Sequence, residues 1–304
     1  MKKTFRNGPI NLPKSPRLTT KPFFIGIVFG LLIGISSCGP SNRMDNNILT
    51  LNLGAEPTYL NPILSTDSAS SSVNGLIFNG LMRVNTKLEM EPDLAKSYHI
   101  SADGKIYTFK LHQNIKWHDG VPFTAEDVKF TFDTILSPKT NTVRRSNYII
   151  NKQAIKFKVV DPYTIQAILP QAFAPFLIHM GMGIIPKHRF KSEDINKTSL
   201  NRMPIGTGPF QFKDWKAAQY VSLEKNPHYF KGDIKLDGVL MKIIPDERTA
   251  LIALEKGEID QAGIPNKDFK KFKSHKRIHT YQYEDLLYTY LGFNLKNPLF
   301  QDIR

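Results

Sequence analysis

Catalysis needs a group that moves a proton, a nucleophile, or a set of metal ligands, and this chain offers few of these. His118-Asp119 comes nearest: an imidazole beside a carboxylate that can orient it. The pair stands in Trp117-His118-Asp119-Gly120, a turn-rich string, so a structural role is favoured over a catalytic one. No G-x-S-x-G, H-E-x-x-H or C-x-x-C occurs, and the eight histidines are not read as a ligand set. The chain is therefore read as a non-enzyme with no metal and no cofactor.

Two loops have compositions suited to binding. Pro204-Ile205-Gly206-Thr207-Gly208-Pro209 sets two glycines around a threonine, which permits a backbone approach that side chains would block. A phosphate cradle is excluded, because no Lys-Ser/Thr follows at Walker spacing and Pro209 has no amide to donate. Glu56-Pro57-Thr58-Tyr59-Leu60-Asn61-Pro62 carries a carboxylate on a loop whose shape two prolines fix.

The elements that position these loops are legible from periodicity. Residues 48–53 alternate as a strand. Helical character is expected from Ser65, with residues 73–82 apolar enough to be buried. Tyr107, Phe109 and Leu111 share one face of a strand that pairs with Tyr98-His99-Ile100 across an Asp103-Gly104 turn. Thr124 precedes Glu126 and Asp127, so its hydroxyl can cap a helix whose apolar face is Val128, Phe132 and Ile135. Residues 159–169 read as two strands about an Asp161-Pro162 turn, and residues 212–221 as a strand pair. A strand at 239–244, a helix at 247–256 capped by Asp246 and stopped by Gly257, and a strand from Glu258 form an α/β unit. Residues 288–294 read as a further strand.

The order DGK-YTF-L (103–111), I-WHDG-PFTAEDV-F (115–130) and helix resembles the central signature of the family 5 extracellular solute-binding proteins, the peptide-capturing lipoproteins of ABC importers. EP-LNP (56–62), GL-R (80–83), I-PKH (184–188), PIGTGPF (204–210) and NP-Y-G (226–232) match the same pattern. His112-Gln113 departs from it, at a surface position. The resemblance implies an α/β fold of the periplasmic-binding-protein-like class II type. Its first lobe, with a mixed sheet, would comprise residues 48–82 and 202–285, with an inserted α+β subdomain at 83–201. Residues 286–304 would open a second lobe whose remainder is missing here. It further implies that Glu56, Pro57, Thr58 and Tyr59, with Gly206, Thr207 and Gly208, face the ligand.

Charge and the N-terminus speak to location. Lys and Arg number 41 against 27 Asp and Glu, but six basic residues precede residue 38 with no acid among them. The rest is only moderately basic, a statement about solubility more than about a partner. Residues 23–35 are an uncharged apolar run too short for a bilayer, which takes ~20 residues. With Ser36-Ser37-Cys38 after it, the run reads as a signal peptide (1–37). Cys38 is the lone cysteine, unable to form an internal disulfide, and the string resembles a lipobox with Cys38 lipidated. Residues 38–47 then form a polar tether. Six basic residues between 266 and 277 are read as a solvated helix with Phe269 and Phe272 beneath it, not as a nucleic-acid patch.

The function this implies is an extracytoplasmic, lipid-anchored monomer that binds oligo- or dipeptides by main-chain hydrogen bonds and delivers them to a permease. Two rivals are carried: the same fold with a non-peptide solute such as a metal chelate, haem or sugar, and a one-lobed surface lipoprotein without transport.

Overall fold

The apolar alternation of the first strand is only half realised in burial, for Ile48 is exposed and Leu49 and Leu51 are half-buried. A computed structural model describes residues 47–283 and 291–301. In it, β1 (Ile48–Leu53) buries Thr50 and Leu53 and lies parallel to a strand almost two hundred residues later. Helix α1 (Ser68–Ile77) follows, capped by Asp67, whose Oδ1 accepts from the Ser70 amide at 2.7 Å. The helix stops at Ile77, short of the 73–82 run that reads as helical, because Phe78 turns extended and the Gly208 amide takes the Ile77 carbonyl at 2.8 Å. A tertiary contact thus ends a segment whose composition would let it continue.

Strands β2 (Met82–Val84) and β3 (Met90–Pro92) form a small hairpin. Then come β4 (Ala95–Ile100) and β5 (Ile106–Leu111), joined through Gly104 at φ +68°, with Tyr107, Phe109 and Leu111 all inward as their alternation predicts. Helix α2 (Ala125–Leu136) begins at Thr124, where the Asp127 carboxylate accepts from the Thr124 amide at 2.9 Å. Its other oxygen accepts from the Lys187 amide at 2.9 Å, so this cap also ties down a distant loop.

A two-residue hairpin of β6 (Ile149–Ile150) and β7 (Gln153–Ala154) leads to β8 (Lys156–Asp161) and β9 (Thr164–Ile168). These complete an antiparallel sheet in the order β4-β5-β9-β8. Helix α2 packs on β8 and β9, with Phe132 stacked on Phe157 at 4.1 Å.

Short helices α3 (Phe176–His179) and α4 (Lys187–Phe190) bring the chain back to a second sheet. It is built from β10 (Phe210–Lys216), β11 (Tyr220–Lys225) and β12 (Gly238–Ile243), in the order β1-β12-β11-β10. Of the three strand pairs in this order, β1–β12 is parallel and the other two are antiparallel. Helix α5 (Glu247–Lys256) is capped by Asp246 and ended by Gly257 in the left-handed region at φ +74°, as its sequence predicts. The strand expected from Glu258 reduces to a bridge: Leu51 pairs with Gln261, and Asp260 exchanges two 2.7 Å hydrogen bonds with Thr50. Helix α6 (Phe269–Lys273) is shorter than the 266–277 run and buries Phe272. Of the strand expected at 288–294, residues 288–290 lie outside the described residues, and 291–294 are irregular. One apolar core runs continuously beneath both sheets, from Leu53 and Ile77 through Phe109 and Phe132 to Val239.

Candidate functional site

The Gly206–Gly208 loop crosses the C-terminal end of α1 so closely that only glycine fits. A Cβ at Gly206 would sit 1.8 Å from the Ile77 carbonyl oxygen, and one at Gly208 2.6 Å from it. His118 pins the loop from the other side. Its amide donates to the Gly206 carbonyl at 3.0 Å, its Nδ1 accepts from the Gly206 amide at 3.2 Å, and its Nε2 donates to the Gly208 carbonyl at 3.1 Å. Asn226 donates to that same carbonyl at 2.8 Å. The ring is therefore held neutral with the proton on Nε2, and burial depresses its pKa to about 4. Asp119, beside it, accepts from His188 Nε2 at 2.8 Å rather than orienting His118.

Thr207 turns its side chain into the protein. It is 1% exposed and donates from Oγ1 to Asn79 Oδ1 at 3.1 Å. Asn79 passes a hydrogen bond of 2.9 Å to the buried carboxylate of Asp93, which is ion-paired with Lys231. The motif is a seam joining α1, the His118 turn and the 226–232 loop.

The other predicted loop is split in character. Pro57 is buried, whereas Glu56, Thr58 and Tyr59 are exposed. Both Glu56 oxygens are engaged by the β10–β11 hairpin, accepting from Trp215 Nε1 at 2.8 Å and from the Ala218 amide at 2.7 Å. The Arg202 guanidinium lies 3.5 Å above the Trp215 ring. Thr58 donates its amide to Ser70 Oγ at 2.9 Å and its hydroxyl to Asp67. Burial opposes the charge on Asp67, but the hydrogen bonds from Thr58 and Ser70 outweigh it and hold the carboxyl below its usual range. Tyr59, 41% exposed, lines a pocket of about 230 Å3 with Leu64 and Val143.

A larger pocket, about 330 Å3, opens over the middle of α1. Asn74, Phe78, Arg144, Tyr148, His179 and Met182 line it, and none of the residues 56–59 or 206–208 does. Arg144 donates from Nη2 to the Ser65 carbonyl at 2.7 Å, and Asn74 donates from Nδ2 to the Ser65 hydroxyl at 3.1 Å. Burial lowers the pKa of His179 and raises that of Tyr148, whose hydroxyl donates to the His179 carbonyl at 2.8 Å. No carboxylate lines the pocket, so its charge at neutral pH is that of Arg144. Sequence reasoning missed this site. Its one signal was the Arg144-Arg145 pair, and only the structure separates the two: Arg145 is spent on the carbonyls of Ile135, Ser137 and Thr140.

Among the described residues no group of three His, Cys, Asp or Glu could hold a metal ion. His275 and His279 do stand four apart, but the segment is not helical, so the spacing does not put them on one face. Among the described residues no helix is long and apolar enough to cross a membrane. Cys38 and the segment before it lie outside the described residues.

Comparison with known proteins adds kinship to this geometry. Residues 89–304 match the model of the bacterial extracellular solute-binding proteins, family 5 Middle. The oligopeptide-binding protein AppA of Bacillus subtilis is 31% identical over 94% of this chain and 55% of its own length. The AppA structure with a nonapeptide superposes with a TM-score of 0.79 at 33% identity, over 84% of this chain and 51% of that one. NikZ from Campylobacter jejuni with Ni(L-His) gives 0.70 at 33% identity, over 77% and 46%. AgaA from A. tumefaciens R10 with agropinic acid gives 0.69 at 28%, over 75% and 46%. The chain spans about half the length of the relatives it matches. Its mixed α/β architecture is the periplasmic-binding-protein-like fold of these neighbours, and the chain belongs to the bacterial extracellular solute-binding proteins of family 5.

Proposed function

We propose that this chain is the capture component of a peptide ABC importer, anchored outside the cytoplasm through a lipid on Cys38 and acting as a monomer. In this reading it binds extracytoplasmic oligo- or dipeptides and passes them to a permease. The observation that carries solute capture is the pocket over α1, with its single cation and its mixed polar and apolar wall. Kinship with an oligopeptide binder favours peptides. The relatives are described as binding proteins, which agrees with a chain that binds and does not catalyse.

A second reading has a specific observation behind it. Neighbours of comparable similarity hold Ni(L-His) and agropinic acid, so a small non-peptide solute suits the same fold. Native mass spectrometry of the protein gently released from its own cells separates the two. Retained peptides that exchange with added peptide are expected. A retained non-peptide solute that peptides do not displace would overturn the peptide reading and leave solute capture standing.

A further inference from the structure

The basic run from 266 to 277 is solvated, as its composition predicts, but the fold gives it a particular place. Lys267, Lys270, Lys271, Lys273, Lys276 and Arg277 are all exposed, while Phe272, within the run, is buried. Two of these cations are spent on α5: Lys271 pairs with Glu255 at 2.6 Å, and Arg277 donates from Nη2 to the Glu255 carbonyl at 3.1 Å. Among the described residues, the other lysines of the run have no carboxylate partner. Lys270 and Lys273 stand three apart on α6 and share a face, where like charges repel. A surface that serves solubility alone intersperses the two signs, whereas here Asp268 is the one acid of the run.

The contacts with Glu255 fix where the run sits. Helix α5 leaves from the C-terminal end of β1, where the Ile244 amide donates to the Leu53 carbonyl at 3.0 Å. Beyond the helix, the Asp260 amide donates to the Thr50 carbonyl at 2.7 Å, and Gln261 pairs with Leu51. The last turn of α5, and the basic run against it, therefore lie toward the N-terminal end of β1. The chain enters at that end through Asn47, whose side chain donates to the Lys235 carbonyl and whose carbonyl accepts from the Asp237 amide at 2.9 Å. Cys38 precedes Asn47 by nine residues. However that segment is arranged, a lipid on Cys38 would keep Asn47 within about 30 Å of the bilayer surface.

We propose that the basic run is a membrane-facing surface, docking on anionic phospholipid headgroups and turning one side of the tethered chain to the bilayer. A tether limits distance but leaves orientation free. Charge complementarity supplies the orientation: each basic residue near an anionic leaflet favours that state about fivefold, within a Debye length of about 10 Å. The proposal rests on the reading of residues 38–47 as a lipid-bearing tether.

Lysine acylation read by mass spectrometry tests it on protein from its own cells, reconstituted on vesicles of phosphatidylcholine alone or with phosphatidylglycerol added. Lys270, Lys273 and Lys276 are expected to react at least about fivefold more slowly on the anionic vesicles. The exposed Lys156 and Lys158 of β8 should be unchanged, and high salt should abolish the protection. Equal rates on the two kinds of vesicle overturn the proposal. Equal protection of Lys156 and Lys158 overturns it too, since that is unoriented adsorption. Protection of the run by a single-stranded RNA oligonucleotide but not by anionic vesicles would assign it to nucleic acid and overturn the lipid assignment. The tether is judged separately: protein that does not stay on the neutral vesicles lacks the anchor, while an anionic footprint at these lysines would still support the docking surface.

Discussion

Acid should loosen the seam at the Gly206–Gly208 loop through His118. The unfolded ring titrates near 6.5 and the folded one near 4, because burial excludes the charged form and Nδ1 is committed as an acceptor from Gly206. The folded pKa is the lower, so the unfolded chain binds more protons between these values and stability falls with pH across that window. The contribution is complete above pH 6.5 and is lost progressively down to pH 4. At about 1.36 kcal/mol per unit, the full loss is about 3 kcal/mol, most of it incurred by pH 4.5. Set against a typical total of 5–15 kcal/mol, that is a large share. Urea denaturation of the chain at pH 7.5 and 4.5 measures it. His112 and His179 are also depressed by burial and lose stability in the same direction, so the wild-type slope alone would overcount. The informative quantity is the difference between the wild type and His118→Gln, whose amide does not titrate. The wild type should lose about 2–3 kcal/mol more than the variant over this interval. An equal loss in both would refute the argument, as would an NMR titration placing the His118 ring near 6.5.

Two further substitutions probe the same seam by other physics. Gly206→Ala forces a methyl to within 1.8 Å of the Ile77 carbonyl and should cost several kcal/mol, whereas Gly54→Ala, with nothing within 4 Å, should leave the urea midpoint nearly unchanged. Lys231→Met leaves the buried Asp93 carboxylate without its cation and should cost about 3–5 kcal/mol. Adding Asp93→Asn to that variant should recover part of the loss, and a double variant weaker than Lys231→Met would show that the ion pair is not what the single change breaks.

Period and punctuation disclosed most of the architecture. Tyr107, Phe109 and Leu111 alternate and are buried, Gly104 takes the positive φ that its turn needs, and Asp246 and Gly257 delimit α5 as their types require. These are local effects, decided within a few residues. The failures share a different origin. The end of α1 is set by an amide from Gly208, and the strand expected after Gly257 is reduced to a bridge at Gln261. The larger pocket was illegible for the same reason. Its wall gathers Ser65, Asn74, Arg144 and His179 from segments that no spacing rule connects, and Arg144 differs from Arg145 only in which carbonyls lie within reach.

The two loops singled out by their composition both reach α1, which lies beneath the larger pocket. Both grip α1, the helix that floors it. At the N-terminal end, Thr58 binds Asp67 and Ser70, the cap and first turn. At the C-terminal end, Gly208 takes the Ile77 carbonyl while His118 and Asn226 hold the loop in place. Asn74, in the pocket lining, lies between these two anchors. Here the rigidity that the glycines and prolines supply holds α1 from both ends, and a binding protein needs its wall set before the solute arrives.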